Sequence, residues 1–151
     1  MTQVLVDTSF LIALYNRHDM RHQRASDLLR SPESRSFRYI IPEVALTEVT
    51  YLLRREVGIT IEAQFIEWLV ETGAVVQCLT LADLNCAARI MLSYAEARFD
   101  FVDCCLMALC ERLTITRLCT FDRRDFGIFR PNHAEALAQS SASRLSVTVP
   151  S

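Results

Sequence analysis

Apolar runs and helical apolar stripes alternate along the 151-residue chain. Val4, Leu5 and Val6 run unbroken into Asp7, a pattern that predicts a buried strand rather than a half-exposed one. Residues 9–15 predict a short helix. Asp19 is positioned to cap a second helix reaching about Leu29. Residues 31–36 form a polar turn around Pro32, and residues 38–41 predict a second strand ended by Pro42. Over residues 43–57 apolar side chains recur at Val44, Ala45, Val49, Leu52 and Leu53, which is one face of a helix, and Gly58 stops it. Thr60 is placed to cap the next helix, whose apolar residues Ile61, Phe65, Ile66, Trp68 and Leu69 end at Gly73. Residues 74–78 predict a third strand. Thr80 and Asp83 fit a capping box opening a helix with Leu84, Ala87, Ala88, Met91, Leu92 and Ala95. Asp100 opens a further helix to about Leu113. Residues 118–120 predict a fourth strand beside Asp122, and Gly127 falls in a turn.

Strands that alternate with helices predict an α/β fold with a mostly parallel sheet of four or five strands, covered by helices on both faces. The length suits one domain, over residues 1–138. Residues 139–151 turn to serine and small side chains until Leu145-Ser146-Val147-Thr148-Val149, so this tail reads as an edge strand or a loose end.

Composition narrows the chemistry by exclusion. Half the residues are hydrophobic and the net charge is -2, which speaks against non-specific nucleic-acid binding by the whole surface. All 16 basic residues are arginine; with no lysine, a Schiff base or a P-loop is excluded. The three glycines leave no glycine-rich loop to cradle phosphates. The six cysteines lack C-x-x-C spacing and are not paired with histidines, so zinc and redox motifs are not expected. They are expected to pack as small hydrophobes in a reducing cytoplasm. No apolar run approaches the roughly 20 residues that span a bilayer, and no signal peptide is visible.

What remains is acidic. Asp7 and Asp122 follow strands. Glu48 lies in the first part of a helix that follows a strand, and Asp103 in the first turn of another. In a doubly wound sheet these positions can converge on one edge. Converging carboxylates repel, and some are driven to protonate; a divalent cation removes that penalty. Oxygen ligands without histidine or thiolate favour magnesium or manganese. Glu43 competes with Glu48 as the helical acid. Asp100 reads either as a ligand or as the cap of the helix that carries Asp103, and Asp125 as a turn or helix-start residue.

The ordered set of motifs resembles the PIN-domain ribonucleases of the VapC toxin type. It consists of Val4-Leu5-Val6-Asp7-Thr8-Ser9-Phe10-Leu11-Ile12, Pro42-Glu43-Val44 leading to Glu48, Asp100-Phe101-Val102-Asp103, and Leu118-Cys119-Thr120-Phe121-Asp122-Arg123-Arg124-Asp125-Phe126. The likeness covers roughly residues 3–130. It implies a PIN-like, Rossmann-like three-layer fold and magnesium- or manganese-dependent endoribonuclease activity. It also implies a homodimer and inhibition by a small cognate antitoxin of VapB type. By position, Asp7, Glu48, Asp103 and Asp122 match the family's acidic cluster, with Asp7, Asp103 and Asp122 as metal ligands. Thr8 or Ser9 matches the small hydroxyl residue beside the first acid, and Thr120 the one before the last.

Arg123 and Arg124 are candidate RNA phosphate contacts, with Arg17 and Arg98 as lesser ones. The alternative to a toxin ribonuclease is a non-catalytic PIN-like domain that binds RNA or a protein. An aspartyl-phosphate enzyme is disfavoured, because Ser9 stands where a second aspartate is needed. The surplus apolar surface suits an amphipathic antitoxin segment, with Trp68 and Met91 as candidate contacts and the core or a dimer interface as alternatives for Trp68.

Overall fold

The computed structural model describes residues 1–133 and 137–140. In these residues five strands form one wholly parallel sheet in the order β3-β2-β1-β4-β5. The strands are β1 (Thr2–Val6), β2 (Phe37–Pro42), β3 (Val75–Gln77), β4 (Arg117–Cys119) and β5 (Ala138–Ser140). The helices are α1 (Thr8–Tyr15), α2 (His22–Arg30), α3 (Glu43–Val57), α4 (Ile59–Thr72), α5 (Leu81–Ser93), α6 (Phe101–Arg112) and α7 (Arg123–Ile128). The fold is thus the three-layer α/β architecture that the sequence predicts. The run at residues 145–149 lies outside the described residues.

The two-residue period of the strands separates two cores. Leu5, Ile40 and Leu118 point into one, with α5 and α6. Val4, Val6, Ile41 and Cys119 point into the other, with α1, α3 and α4. Helix α6 is buried on all sides from Asp103 to Cys110, as expected of a helix that is apolar around its whole circumference. Cys104, Cys105, Cys110 and Cys119 fill core space, whereas Cys78 is exposed; all six thiols are free. Among the described residues no helix is long and apolar enough to cross a membrane.

Local chemistry explains where sequence and structure differ. Asp19 does not cap α2: it accepts from the Arg21 backbone N–H at 2.8 Å, closing an Asx turn, and the helix begins three residues later at His22 without a side-chain cap. Thr60 sits inside α4, because Gly58, at φ 98°, both ends α3 and starts α4. Gly127 lies within α7. The Thr80–Asp83 capping box forms as predicted. Trp68 and Met91 are partly buried and pack against the cores, and Trp68 stacks near Phe65 and Tyr15. The large apolar side chains that do face outward on α3 and α4 are Tyr51, Ile59, Ile66 and Val70.

The strand order reverses between β1 and β4. From β1 the chain steps outward to β2 and β3, then returns to the other side of β1. Open α/β sheets bind their ligands at such a switch point, outside the strands' carboxyl ends. Asp7 follows β1, and Thr120 follows β4.

Candidate metal centre

The β1–β4 register pairs Leu5 with Leu118 and Val6 with Cys119. The Asp7 N–H continues the ladder by donating to the Cys119 carbonyl at 3.0 Å. Asp7 is therefore set opposite Thr120 by strand pairing alone. Its side chain is 3% exposed and satisfied by three donors. Oδ1 accepts from the Thr8 N–H at 2.7 Å, which caps α1. Oδ2 accepts from the Ser9 hydroxyl at 2.8 Å and the Thr120 hydroxyl at 2.7 Å. Both hydroxyls are in turn tied to the loop after β4: Ser9 Oγ accepts from the Phe121 N–H at 3.0 Å, and Thr120 Oγ1 from the Asp122 N–H at 2.9 Å. Small hydroxyl residues are needed here because each must donate to the carboxylate and accept from a backbone amide. The hydroxyl partner beside Asp7 is Ser9. Thr8 contributes its backbone N–H, while its own Oγ1 is buried without a hydrogen-bond partner among the described residues.

Two further aspartates arrive as helix caps. Asp100 caps α6 by accepting from the Asp103 N–H at 2.8 Å, so it serves as the predicted cap. Asp122 caps α7 by accepting from the Asp125 N–H at 3.1 Å. In each helix the capped residue is another acid in the first turn, where the helix dipole favours negative charge. Carboxylate oxygens of Asp103, Asp122 and Asp125 all lie within 4.8 Å of one another. Asp125 is the member that local pattern did not single out. Its signal was the spacing: three residues after a capping aspartate, it turns back toward the same edge.

The electrostatics register this crowding. Burial, then the charges of Asp100 and Asp7, a hydrogen bond with Asp125 and the charge of Asp122 push the Asp103 carboxyl up to about 9. A hydrogen bond between two carboxyl groups needs a proton on one of them. Burial raises Asp7 above the ordinary aspartate range against the pull of its hydrogen bonds, and Asp122 adds to the rise. Burial, with the charges of Asp125 and Asp100, also raises Asp122. Five aspartates thus feel one another at the switch point.

Glu48 stands apart from this set. It is half-buried on α3, one helical turn beyond Val44, which packs against the α6 side of the core. Among the described residues it makes no hydrogen bond or ion pair, and the structure does not bring it into the trio. Glu43 is exposed in the first turn of α3. Arg124 hydrogen-bonds the Ala97 carbonyl at 3.3 Å and pairs with Asp125.

The donor set of the trio is all oxygen, with no thiolate or imidazole. That is the ligand chemistry of magnesium and manganese rather than zinc or copper. The raised carboxyls carry an unrelieved repulsion of the kind a divalent cation removes. The residues present therefore fit such an ion.

A family model for the PIN domain matches residues 4–129 of the chain. The ribonuclease VapC26 of Mycobacterium tuberculosis is 25% identical over 128 residues, which are 85% of this chain and 93% of that protein. The crystal structure of VapC20 from Mycobacterium tuberculosis, a toxin that cleaves the sarcin–ricin loop, matches with a TM-score of 0.69 and 26% identity over 76% of this chain and 86% of its own. A toxin–antitoxin complex from Klebsiella pneumoniae shares the fold, with a TM-score of 0.64 and 17% identity over 83% of this chain and 92% of its own. The motifs that resemble this family in sequence occupy one edge of the sheet, and the family model spans most of the chain: the protein belongs to the PIN-domain family.

Proposed function

We propose that the protein is a magnesium- or manganese-dependent endoribonuclease, the toxin of a toxin–antitoxin pair acting in the cytoplasm. The observation that carries this reading is the meeting of Asp103, Asp122 and Asp125 at the switch point, with Asp7 fixed behind them by Ser9 and Thr120. The ribonuclease activity of VapC26 and the loop-cleaving activity of VapC20 lend it their support.

Asp103, Asp122 and Asp125 would hold the cation, with Asp7 as a further ligand or as the anchor that sets their spacing. When bound, a divalent cation supplies Lewis-acid polarisation of phosphoryl oxygen and acidifies water. The chain's own residues prepare the site for that chemistry. The raised Asp103 carboxyl is the group that would release a proton if a cation neutralised the site. Asp100 and Asp122 fix the first turns of α6 and α7, so the carboxylates they present do not swing. Glu48, which stands outside the trio, is proposed as an outer acid that would reach the site only with RNA or a cation bound. RNA is the substrate class, and Arg123 and Arg124 are phosphate contacts beside Asp122.

Purified protein is expected to cut single-stranded RNA in 5 mM magnesium or manganese and to stop in excess EDTA. Calorimetry should show cation binding under the same conditions. Neither cleavage nor cation binding would favour a non-catalytic interaction domain instead.

A toxin needs restraint, and the partner proposed is a VapB-like antitoxin whose amphipathic segment covers apolar side chains such as Tyr51, Ile66 and Val70, the last 79% exposed. The protein itself is proposed to be a homodimer. Co-expression with the protein encoded next to it is expected to give a complex that survives size-exclusion chromatography and silences the RNA cleavage. Full activity of the co-purified pair would overturn the antitoxin assignment.

A further inference from the structure

An RNA strand approaching this edge meets five mutually repelling aspartates before it meets any ligand. A divalent ion cancels only two of those charges, so binding a polyanion here calls for fixed positive charge nearby. The structure supplies it from an element outside the acidic motifs. The guanidinium carbons of Arg21 and Arg24 lie 5.1 and 5.6 Å from the centroid of the Phe121 ring. Phe121 is half-buried, stacks on the buried Phe10 at 5.9 Å, and sits between Thr120, which holds Asp7, and Asp122. Two like charges thus share one aromatic platform directly beside the acid cluster. Among the described residues Arg21 is paired only at Nε, with Asp19 at 3.3 Å. Its side chain is 41% exposed, and its two terminal nitrogens make no hydrogen bond among the described residues.

A guanidinium resting on an aromatic ring is restrained in orientation, yet keeps its N–H edge for an anion. That edge matches a phosphate bidentately. Single-stranded nucleic acids are held by grooves that combine positive charge along the backbone with aromatic side chains and arginine cation–π contacts.

We propose that Arg21 and Arg24, carried on Phe121, form a phosphate-binding shoulder that guides single-stranded RNA from the α2 side into the acid cluster. This surface rests on the ribonuclease reading and extends it: it assigns binding residues at the start of α2, distinct from Arg123 and Arg124 on α7. The two arginines act in substrate binding, not in bond cleavage.

The test is steady-state cleavage of a labelled single-stranded RNA in magnesium, together with its affinity between about 50 and 300 mM salt. Arg21→Gln is expected to raise KM by about 5–10-fold with a smaller change in kcat. It should also flatten the dependence of log K on log salt by roughly 0.7, the value for one phosphate contact to a single strand. Arg21→Glu should weaken binding further than Gln, and Arg21→Lys should restore most of the salt slope because it keeps the charge. Arg21→Gln/Arg24→Gln should lose about two contacts' worth of slope. Wild-type KM and slope in Arg21→Gln and Arg21→Glu would overturn the shoulder while leaving the ribonuclease reading intact. A wild-type protein that neither binds nor cuts RNA would overturn both.

Discussion

Replacing Asp7 by Asn is expected to lower RNA cleavage at least about 100-fold while leaving the protein folded. The side chains are isosteric, and the hydrogen-bond network can accommodate the change. The amide oxygen can still accept from the Thr8 N–H, and the amide nitrogen can donate to the hydroxyls of Ser9 and Thr120, which then act as acceptors. The change removes a buried negative charge that contributes to the rise in Asp103, so stability should hold or rise slightly. Activity has no such compensation. Loss of a residue that merely supports a metal ligand typically costs 10–100-fold in affinity or activity, and loss of a charged group at the centre should exceed that. The measurement is cleavage of a labelled RNA in saturating magnesium, with a thermal melt of both proteins. A folded Asp7→Asn protein that cuts RNA at the wild-type rate would remove Asp7 from the active centre. In cells, mapping RNA ends after brief induction of each form would show the same contrast and locate the cut.

The placement of Asp7 was legible in the sequence because it depends on one strand and its register. An unbroken apolar run fixes a buried strand, and the acid at its end has nowhere to point but the carboxyl edge. Asp103 and Asp122 were legible for a related reason, since each occupies the start of a helix that returns to that edge. Asp125 was not. Its local environment, three residues after a capping aspartate, is the ordinary N3 position of a helix start, and only the tertiary approach of the first turns of α6 and α7 brings it to Asp103. Glu48 shows the converse. Its position on α3 matches the family pattern, but a long side chain on a half-buried helix face has rotamers that local sequence does not choose. The cap expected from Asp19 failed through competition, because an Asx turn to Arg21 satisfies the same carboxylate one step before the helix begins. The arginine platform on Phe121 joins residues a hundred positions apart and has no periodic signal.

The same crowding that suits the site to a cation should make it a source of instability when the cation is withheld. Burial and the neighbouring carboxylates push Asp103 up to about 9 in the folded protein, against 3.8 for a free aspartate, so over that range the native state favours a proton that the unfolded chain has released. Stability must then fall as pH rises through that window, because the unfolded state binds fewer protons than the native one. The metal-free protein is therefore expected to melt at a lower temperature at pH 8.5 than at pH 5.5. Asp103→Asn removes the group responsible and places a neutral side chain of the same size in its position. It should raise the melting temperature at pH 8.5 by at least about 4 °C, roughly 1–2 kcal/mol for a chain of this length, and flatten the pH profile. The same substitution should abolish RNA cleavage, so that the variant gains stability as it loses activity. Magnesium should stabilise the wild type more at pH 8.5 than at pH 5.5, since cation and proton compete for the same carboxyls, and should stabilise Asp103→Asn much less. Parallel melting profiles for the two proteins across pH 5.5–8.5, with equal responses to magnesium, would show that Asp103 is not where the charge of the cluster is concentrated.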